Sequence, residues 1–575
     1  MIKQLLLFTF LPLILLAQQS IDVTGRISVN TINVDYDRKS DIKPDSVASS
    51  EYGKTTLIPG LQQTLNISLF ARTQNLDMSL LGDIRNNDWN KLDFNNQNSI
   101  DRLSLNLRFA NHEIVLGDFY ESGSEFFLQS REIRGGKLAL QFDNVWNRFS
   151  FIEFNAVAGL SQKAIAQGDR LNSLYKQFET SGQFRRLLAA ANIRTGERSL
   201  YEVGLHYLYA KDDKGSIKES LNDPLGNQNF GLDGSVYFWK NRIKLFAEGY
   251  YSKKDTIELG SVDDYSYKSG FDFRYEQFKL VTYWQRLGFN YYTAGYPFLL
   301  NDRQGLRLQA AYNIPDIMIL STDAEQYDNN LENDKATPVT TTRITEISAT
   351  TAFKNLPEIT LLYGFRDDLS NAVFNEQEEE TRTDKISRKY ETRIAYDFNF
   401  NRVSLTTIYL DLDDRSKIAG GAPLGTEQLI GSFNFYTRPA NTFFISGGAV
   451  YSRLLLTDSK ESRNYFLYQS SRWDIIPRKL VFESTINVSK NDAKNGGTDD
   501  MLSNYWQADG RLSVEFFFTD NLSLKVIGGT NTRQMDFSTS DALAALQSPD
   551  IEPTFFNGNE SFNAIIYGAE INWIF

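Results

Sequence analysis

The chain has 575 residues, a formal charge of −12, 13% aromatic residues and no cysteine. The acidic balance argues against a nucleic-acid partner, which asks for a basic footprint; the missing thiols exclude disulfides, thiolate metal sites and cysteine nucleophiles. A mean hydropathy of −0.38 excludes a bundle of transmembrane helices, whereas 29 Tyr and 41 Phe on so polar an average suit a wall with one apolar and one polar face.

At the amino terminus Lys3 precedes an apolar run from Leu5 to Leu16, and Ala17 stands before the polar Gln18-Gln19-Ser20. This pattern predicts a secretory signal peptide, residues 1–17, cut after Ala17 and leaving residues 18–575 as one domain. The run is too short to span a bilayer comfortably, and no Cys follows it to carry a lipid anchor.

From Ile21 onward the chain alternates with period two. Leu103, Leu105, Leu107 and Phe109 interleave with Arg102, Ser104, Asn106 and Arg108; Val203, Leu205, Tyr207 and Tyr209 interleave with Glu202, Gly204 and His206. Such segments are two-faced strands, not helices of period 3.6. Charged side chains in mid-strand are costly against lipid, so the charged row is assigned to a lumen: Arg102, Arg108, Glu202, Lys244, Glu248, Glu391, Arg393 and Glu515. Connections alternate between short turns, such as Lys240-Asn241 and Pro477-Arg478, and long polar stretches, such as Gln162 to Thr180 and Phe289 to Gln304. Trp146, Trp239, Trp473 and Trp573 fall beside short turns or the chain end, where an interfacial girdle belongs. The expected fold is all-β, a transmembrane antiparallel β-barrel of about 24 to 26 strands. Because alternation begins at Ile21-Asp22-Val23, no separate plug domain is expected.

The least strand-like stretch runs from Gly117 to Gly136, GDFYESGSEFFLQSREIRGG. Asp118, Glu125 and Glu132 have Arg131 and Arg134 as partners within reach, while Phe126, Phe127 and Leu128 sit poorly in a solvated loop. Two readings are open: a salt-bridged external hairpin, or a hairpin folded inward to constrict the lumen. In the second, Asp118, Glu125, Arg131, Glu132 and Arg134 join Arg102, Arg108, Glu391 and Arg393 as lumenal binding residues. The Gly-Asp-Phe-Tyr segment followed by an Arg-Gly hairpin resembles a feature of large outer-membrane β-barrel proteins of Bacteroidetes and related Gram-negative bacteria.

Adjacent aspartates recur in or beside long loops, including Asp212-Asp213, Asp367-Asp368 and Asp413-Asp414. Their hard oxygens suit surface Ca²⁺ or Mg²⁺, though they lack the spaced ligands and turn glycine of a calcium loop; solvated acidic loops are the plainer reading. No other cofactor is expected. His112 and His206 are the two histidines, neither has a nucleophile at motif spacing, and no enzyme activity is expected.

The last nine residues close the pattern: Tyr567, Ala569, Ile571, Trp573 and Phe575 share one face, and Gly568, Glu570 and Asn572 the other. This ending resembles the carboxy-terminal signal by which outer-membrane barrels are handed to their assembly machinery, carried here by Tyr567, Ile571, Trp573 and Phe575. The resemblance implies the outer membrane as location, with its lipid, lipopolysaccharide and the assembly machinery as partners. Two functions fit. One is a passive or loop-gated conduit for a polar solute or polymer. The other is a surface-binding or structural barrel with a closed lumen, partner of an envelope secretion or assembly apparatus, for which loop tyrosines such as Tyr265, Tyr291, Tyr292 and Tyr296 offer anchors.

Overall fold

The computed structural model describes residues 21–40, 60–87, 102–146, 149–167, 170–172, 177–179, 182–257, 260–332, 337–351, 353–374, 380–417, 425–456, 461–494, 504–537 and 558–575. The signal peptide expected at residues 1–17 lies outside them. Strands of 8 to 19 residues form one 26-stranded antiparallel sheet in which each strand pairs with the next. The first, Asp22–Ser40, also pairs with the last, Gly558–Ile574, from Arg26 opposite Ile574 to Ser40 opposite Glu560. The sheet is therefore a closed barrel with no free edge. Two further hairpins, Arg170–Asn172 with Gln177–Glu179 and Val373–Phe374 with Glu380–Thr381, stand in the long connections.

The short turns explain much of the left-handed backbone. Trp239, Lys240, Asn241, Glu276, Asp316, Asn355, Asn399 and Arg478 all have positive φ, and each sits where two strands are joined by a few residues whose twist demands it. All lie at one rim.

The distribution of side chains is inside-out relative to a water-soluble protein. In the strand Tyr201–Asp213, Val203, Leu205, Tyr207 and Tyr209 are exposed on the outer face, while Gly204, His206, Leu208, Ala210 and Asp212 are covered on the inner one. The same outward row continues through Leu232, Leu245, Leu306, Leu361 and Val514 to Ile571. In water that surface is a liability; a bilayer covers it at roughly 1.5–3 kcal/mol for each large apolar side chain. At the short-turn rim aromatics gather: Trp239 stacks on Tyr275 at 5.6 Å, Arg242 lies over both rings, and Trp473 and Trp573 are exposed nearby in sequence to other turns. The Trp146 side chain lies outside the described set.

The main buried apolar cluster is inside the barrel, on the long-loop side. It joins Val115, Phe119, Ile133 and Val157 with Leu188, Leu208, Tyr250 and Leu287 of the wall, and with Phe126, Phe127, Leu128, Tyr291 and Ala294 of two loops.

Candidate functional site

The stretch 117–136 is two wall strands and a nine-residue connection: His112–Glu121 and Arg131–Trp146 stay paired up to Glu121 opposite Arg131. Residues 122–130 then fold into the lumen. Their turn is held locally, since Gly123 N donates to Leu128 O at 2.6 Å, Phe127 N and Leu128 N donate to Ser124 O at 3.0 Å, and Ser130 N donates to Ser122 Oγ at 2.9 Å. Phe126, Phe127 and Leu128 are no more than 3% exposed. They fill the inner face between strands because water inside a wide barrel leaves an apolar tip nowhere else to go.

A second loop, 288–302, comes in from the strand Phe278–Leu287 to meet the first. Leu128 and Gly295 form a parallel bridge; Tyr291 Oη donates to Phe126 O, and Thr293 Oγ1 donates to Phe127 O at 2.6 Å. The fit allows no side chain at Gly295, where a Cβ would stand 2.2 Å from Phe127 O. The wall holds this second loop by polar groups on its inner face. Ser252 Oγ and Asn229 Nδ2 donate to Tyr292 O, and Ala294 N donates to Asn227 Oδ1 at 2.8 Å. It holds the first loop by charge: Ser124 Oγ donates to Glu248 Oε2 at 2.6 Å, and Glu125 pairs with Lys268 at 3.1 Å. Burial pushes the Tyr291 and Tyr292 phenols above the ordinary tyrosine range.

Below the two loops, toward the short-turn rim, a recess of ≈ 680 Å³ opens against the wall, bounded at one end by Ser122, Ser124 and Phe127 and reaching Asn111 at the other. Its polar lining includes Glu153, Asn155, Asn192, Arg194, Asp233 and Lys244. Asp233 accepts from Arg194 at 3.0 Å and contacts His206 Nε2, while the His206 ring meets the Phe127 ring at 5.2 Å, tilted by 58°. Nearby, Lys137 bridges Glu113 at 3.2 Å and Glu121 at 2.9 Å.

Of the residues expected to line the lumen, Glu125 and Arg131 do so, the latter donating to Ser161 O at 2.8 Å. Arg108, paired with Glu113 at 2.7 Å, and Glu391, paired with Lys389 at 3.0 Å, are also on the inner row. Arg393 shares that row with Glu391, the outward row there being Tyr390, Thr392 and Ile394 by register with exposed Leu361 and Tyr363. Asp118, Glu132 and Arg134 are corrected, and with them Arg102. Pairing runs unbroken through Asp118 opposite Arg134 and Tyr120 opposite Glu132, so these residues alternate outward with exposed Leu116 and Tyr120. There Arg134 binds Asp118 at 2.6 Å; Arg102, at the end of its own strand, reaches the same outer face to Glu132 at 3.7 Å and to Tyr120 Oη. The error was to read this stretch as a loop, where parity has no meaning. Tyr291 is corrected likewise: at 2% exposed it is an internal latch and no surface anchor.

The aspartate pairs cannot converge on one ion, because neighbours in a strand face opposite sides. Asp212 binds Arg186 at 2.7 Å inside while Asp213 binds Arg185 outside. Asp367 pairs with Arg343 and Asp368 with Arg366; Asp413 pairs with Arg415 and Asp414 with Lys385. Among the described residues no group of three His, Asp or Glu is placed to hold a metal.

The sequence reading missed Leu188, Ala190, Leu208 and Ala210 as the seat of the inward loops. A signal was present: in Arg185–Glu197 the segment LLAAA, Leu187 to Ala191, is apolar on both faces, which a strand bathed by lumen water on one side would not be.

No protein-family model matches the sequence, and no curated protein matches it. Among solved structures, the chain is similar to the siderophore receptor PirA of Pseudomonas aeruginosa, at 10% identity over 97% of this chain and 81% of that one with a TM-score of 0.40. It is also similar to a variant of the ferric enterobactin receptor PfeA of the same organism, at 12% over 96% and 81% with a TM-score of 0.44. The copper transporter OprC matches at 9% over 96% and 80% with a TM-score of 0.41. Likeness this distant carries no argument about function.

Proposed function

We propose that the protein is an outer-membrane barrel, inserted with its short turns in the periplasm, that acts as a loop-gated conduit for a polar solute. The observation that carries this reading is the pair of loops seated inside the lumen above a polar recess. Barrels of far fewer strands already hold aqueous channels, so an internal obstruction is what such a wall needs if it is not to leak. Burying Phe126, Phe127 and Leu128 at roughly 1.5–3 kcal/mol each holds the seat by about 5–9 kcal/mol. Thermal opening is then rarer than about one molecule in a thousand, and passage requires a trigger. In this reading the leader is cut after Ala17, the Tyr567–Phe575 face is read by the assembly machinery, lipid and lipopolysaccharide surround the wall, and the lumen catalyses no reaction.

Planar-bilayer conductance tests it. The native protein is expected to be nearly silent, and deletion of Ser122 to Ser130 to give large, steady steps in a barrel whose heat-modifiable gel mobility shows it folded. A folded deletion variant that stays silent sinks the conduit. The apolar depth of the seat also supports a second reading, a barrel kept closed by this loop and serving an envelope secretion or assembly apparatus; its signature is a native protein that stays silent with every solute offered, opens only on loop deletion, and co-purifies with a protein partner.

A further inference from the structure

We infer that the recess beneath the inward loops is a binding site for a neutral, polyhydroxylated solute, an oligosaccharide, and that the bound solute touches loop and wall at once. The inference rests on the conduit reading and names the class of its cargo. The recess has the size of sites that enclose a small organic ligand. It offers both signs of charge: an anion would meet Glu153, Asp233 and Glu248, and a cation would meet Arg194 and Lys244. A solute without net charge avoids both penalties.

The lining is rich in planar amide, carboxylate and guanidinium groups, which can donate to and accept from neighbouring hydroxyls. Two are unspent in the fold. Among the described residues no hydrogen bond engages the Glu153 carboxylate or the Asn192 amide, and both line the recess. Phe246 on the wall and Phe127 at the loop tip supply apolar surface for the carbon-bound faces of sugar rings. Because Ser122, Ser124 and Phe127 belong to the loop, occupancy that favours one position of the loop is thermodynamically linked to that position.

The test is binding by the full-length, refolded protein in detergent micelles, with a fluorescent label, to an array of neutral oligosaccharides of varied linkage and to a parallel set of tri- to pentapeptides. Binding to a subset of the oligosaccharides is expected. Asn192→Ala and Glu153→Gln, which break no hydrogen bond of the fold, are each expected to weaken it by about tenfold, the worth of one hydrogen bond from a polar or charged group. Silence across the sugars, binding to peptides alone, or binding that neither substitution weakens overturns the inference. The assay needs no membrane current, so a barrel that binds sugars yet stays silent after loop deletion keeps the site and loses the conduit.

Discussion

Phe127 is the residue on which the inward loop turns: 1% exposed, stacked on Tyr250, tilted against His206, its carbonyl taken by Thr293. Phe127→Ala should cost the seat about 3–5 kcal/mol. Most of its hold would go, and flickering openings are expected in bilayers where the native protein gives none. Tyr291 sets a different dependence. Its phenol must keep its proton to donate to Phe126 O, and burial raises its pKa above the unfolded value. The latch is therefore fully present below the ordinary tyrosine pKa of about 10 and is lost as pH rises through the higher folded value. Openings should increase only in alkali above that range, and Tyr291→Phe should lift the baseline by about 1 kcal/mol of lost hydrogen bond while flattening the alkaline rise. An unchanged slope in the Phe variant would place the alkaline effect elsewhere. At this scale the sequence was a partial guide. Phe126, Phe127 and Leu128 stood out as too apolar for a solvated loop, but Tyr291 looked like a surface anchor, because a tyrosine carries no mark of whether lipid, water or another loop covers it.

Among elements, strands were legible and loop partnerships were not. Lipid on one side and a lumen on the other impose period two on every wall strand, so Leu103 to Phe109 and Val203 to Tyr209 declare their outward faces without further help. Asp118 and Arg134 defeated that reading because glycines flank them. Gly117, at φ +102, allows the backbone to come so near the adjoining strand that a Cβ would lie 1.9 Å from Leu103 O, and a glycine used for a close approach of two strands looks in sequence like a glycine ending a strand. The meeting of the two inward loops was beyond reach for another reason: Phe127 and Thr293 are 166 residues apart, and no local pattern encodes so distant a pairing. Gly295→Ala probes it with one carbon. The added methyl, 2.2 Å from Phe127 O, must part the loops, while Gly295 lies outside every wall strand and the barrel should fold normally. Conductance should rise toward that of the loop deletion; native-like silence would mean that the contact between the loops does not hold the lumen shut.

The whole molecule depends on closure. Gly25 N donates to Phe575 O at 2.8 Å and Phe575 N donates to Gly25 O at 3.0 Å, below the pairs Ile27 with Trp573 and Val29 with Ile571. Trp573 also pairs with Leu522 on the other side, so the chain end is clamped between two strands. Removing Trp573 to Phe575 strands backbone groups on both neighbours at the edge of the hydrocarbon, where each unsatisfied group costs several kcal/mol. Refolding into detergent or lipid should fail, with the loss of heat-modifiable mobility. Phe575→Ala separates this from recognition, since it keeps both backbone hydrogen bonds and gives up only the ring, which meets Trp573 at 4.8 Å. The purified Ala variant should refold like the native chain. If assembly in the cell reads the aromatic terminus, the same variant should accumulate poorly in the outer membrane. Equal loss in both settings would instead make Phe575 a packing residue of the seam, and normal accumulation in the cell would remove the terminal ring from the assembly signal.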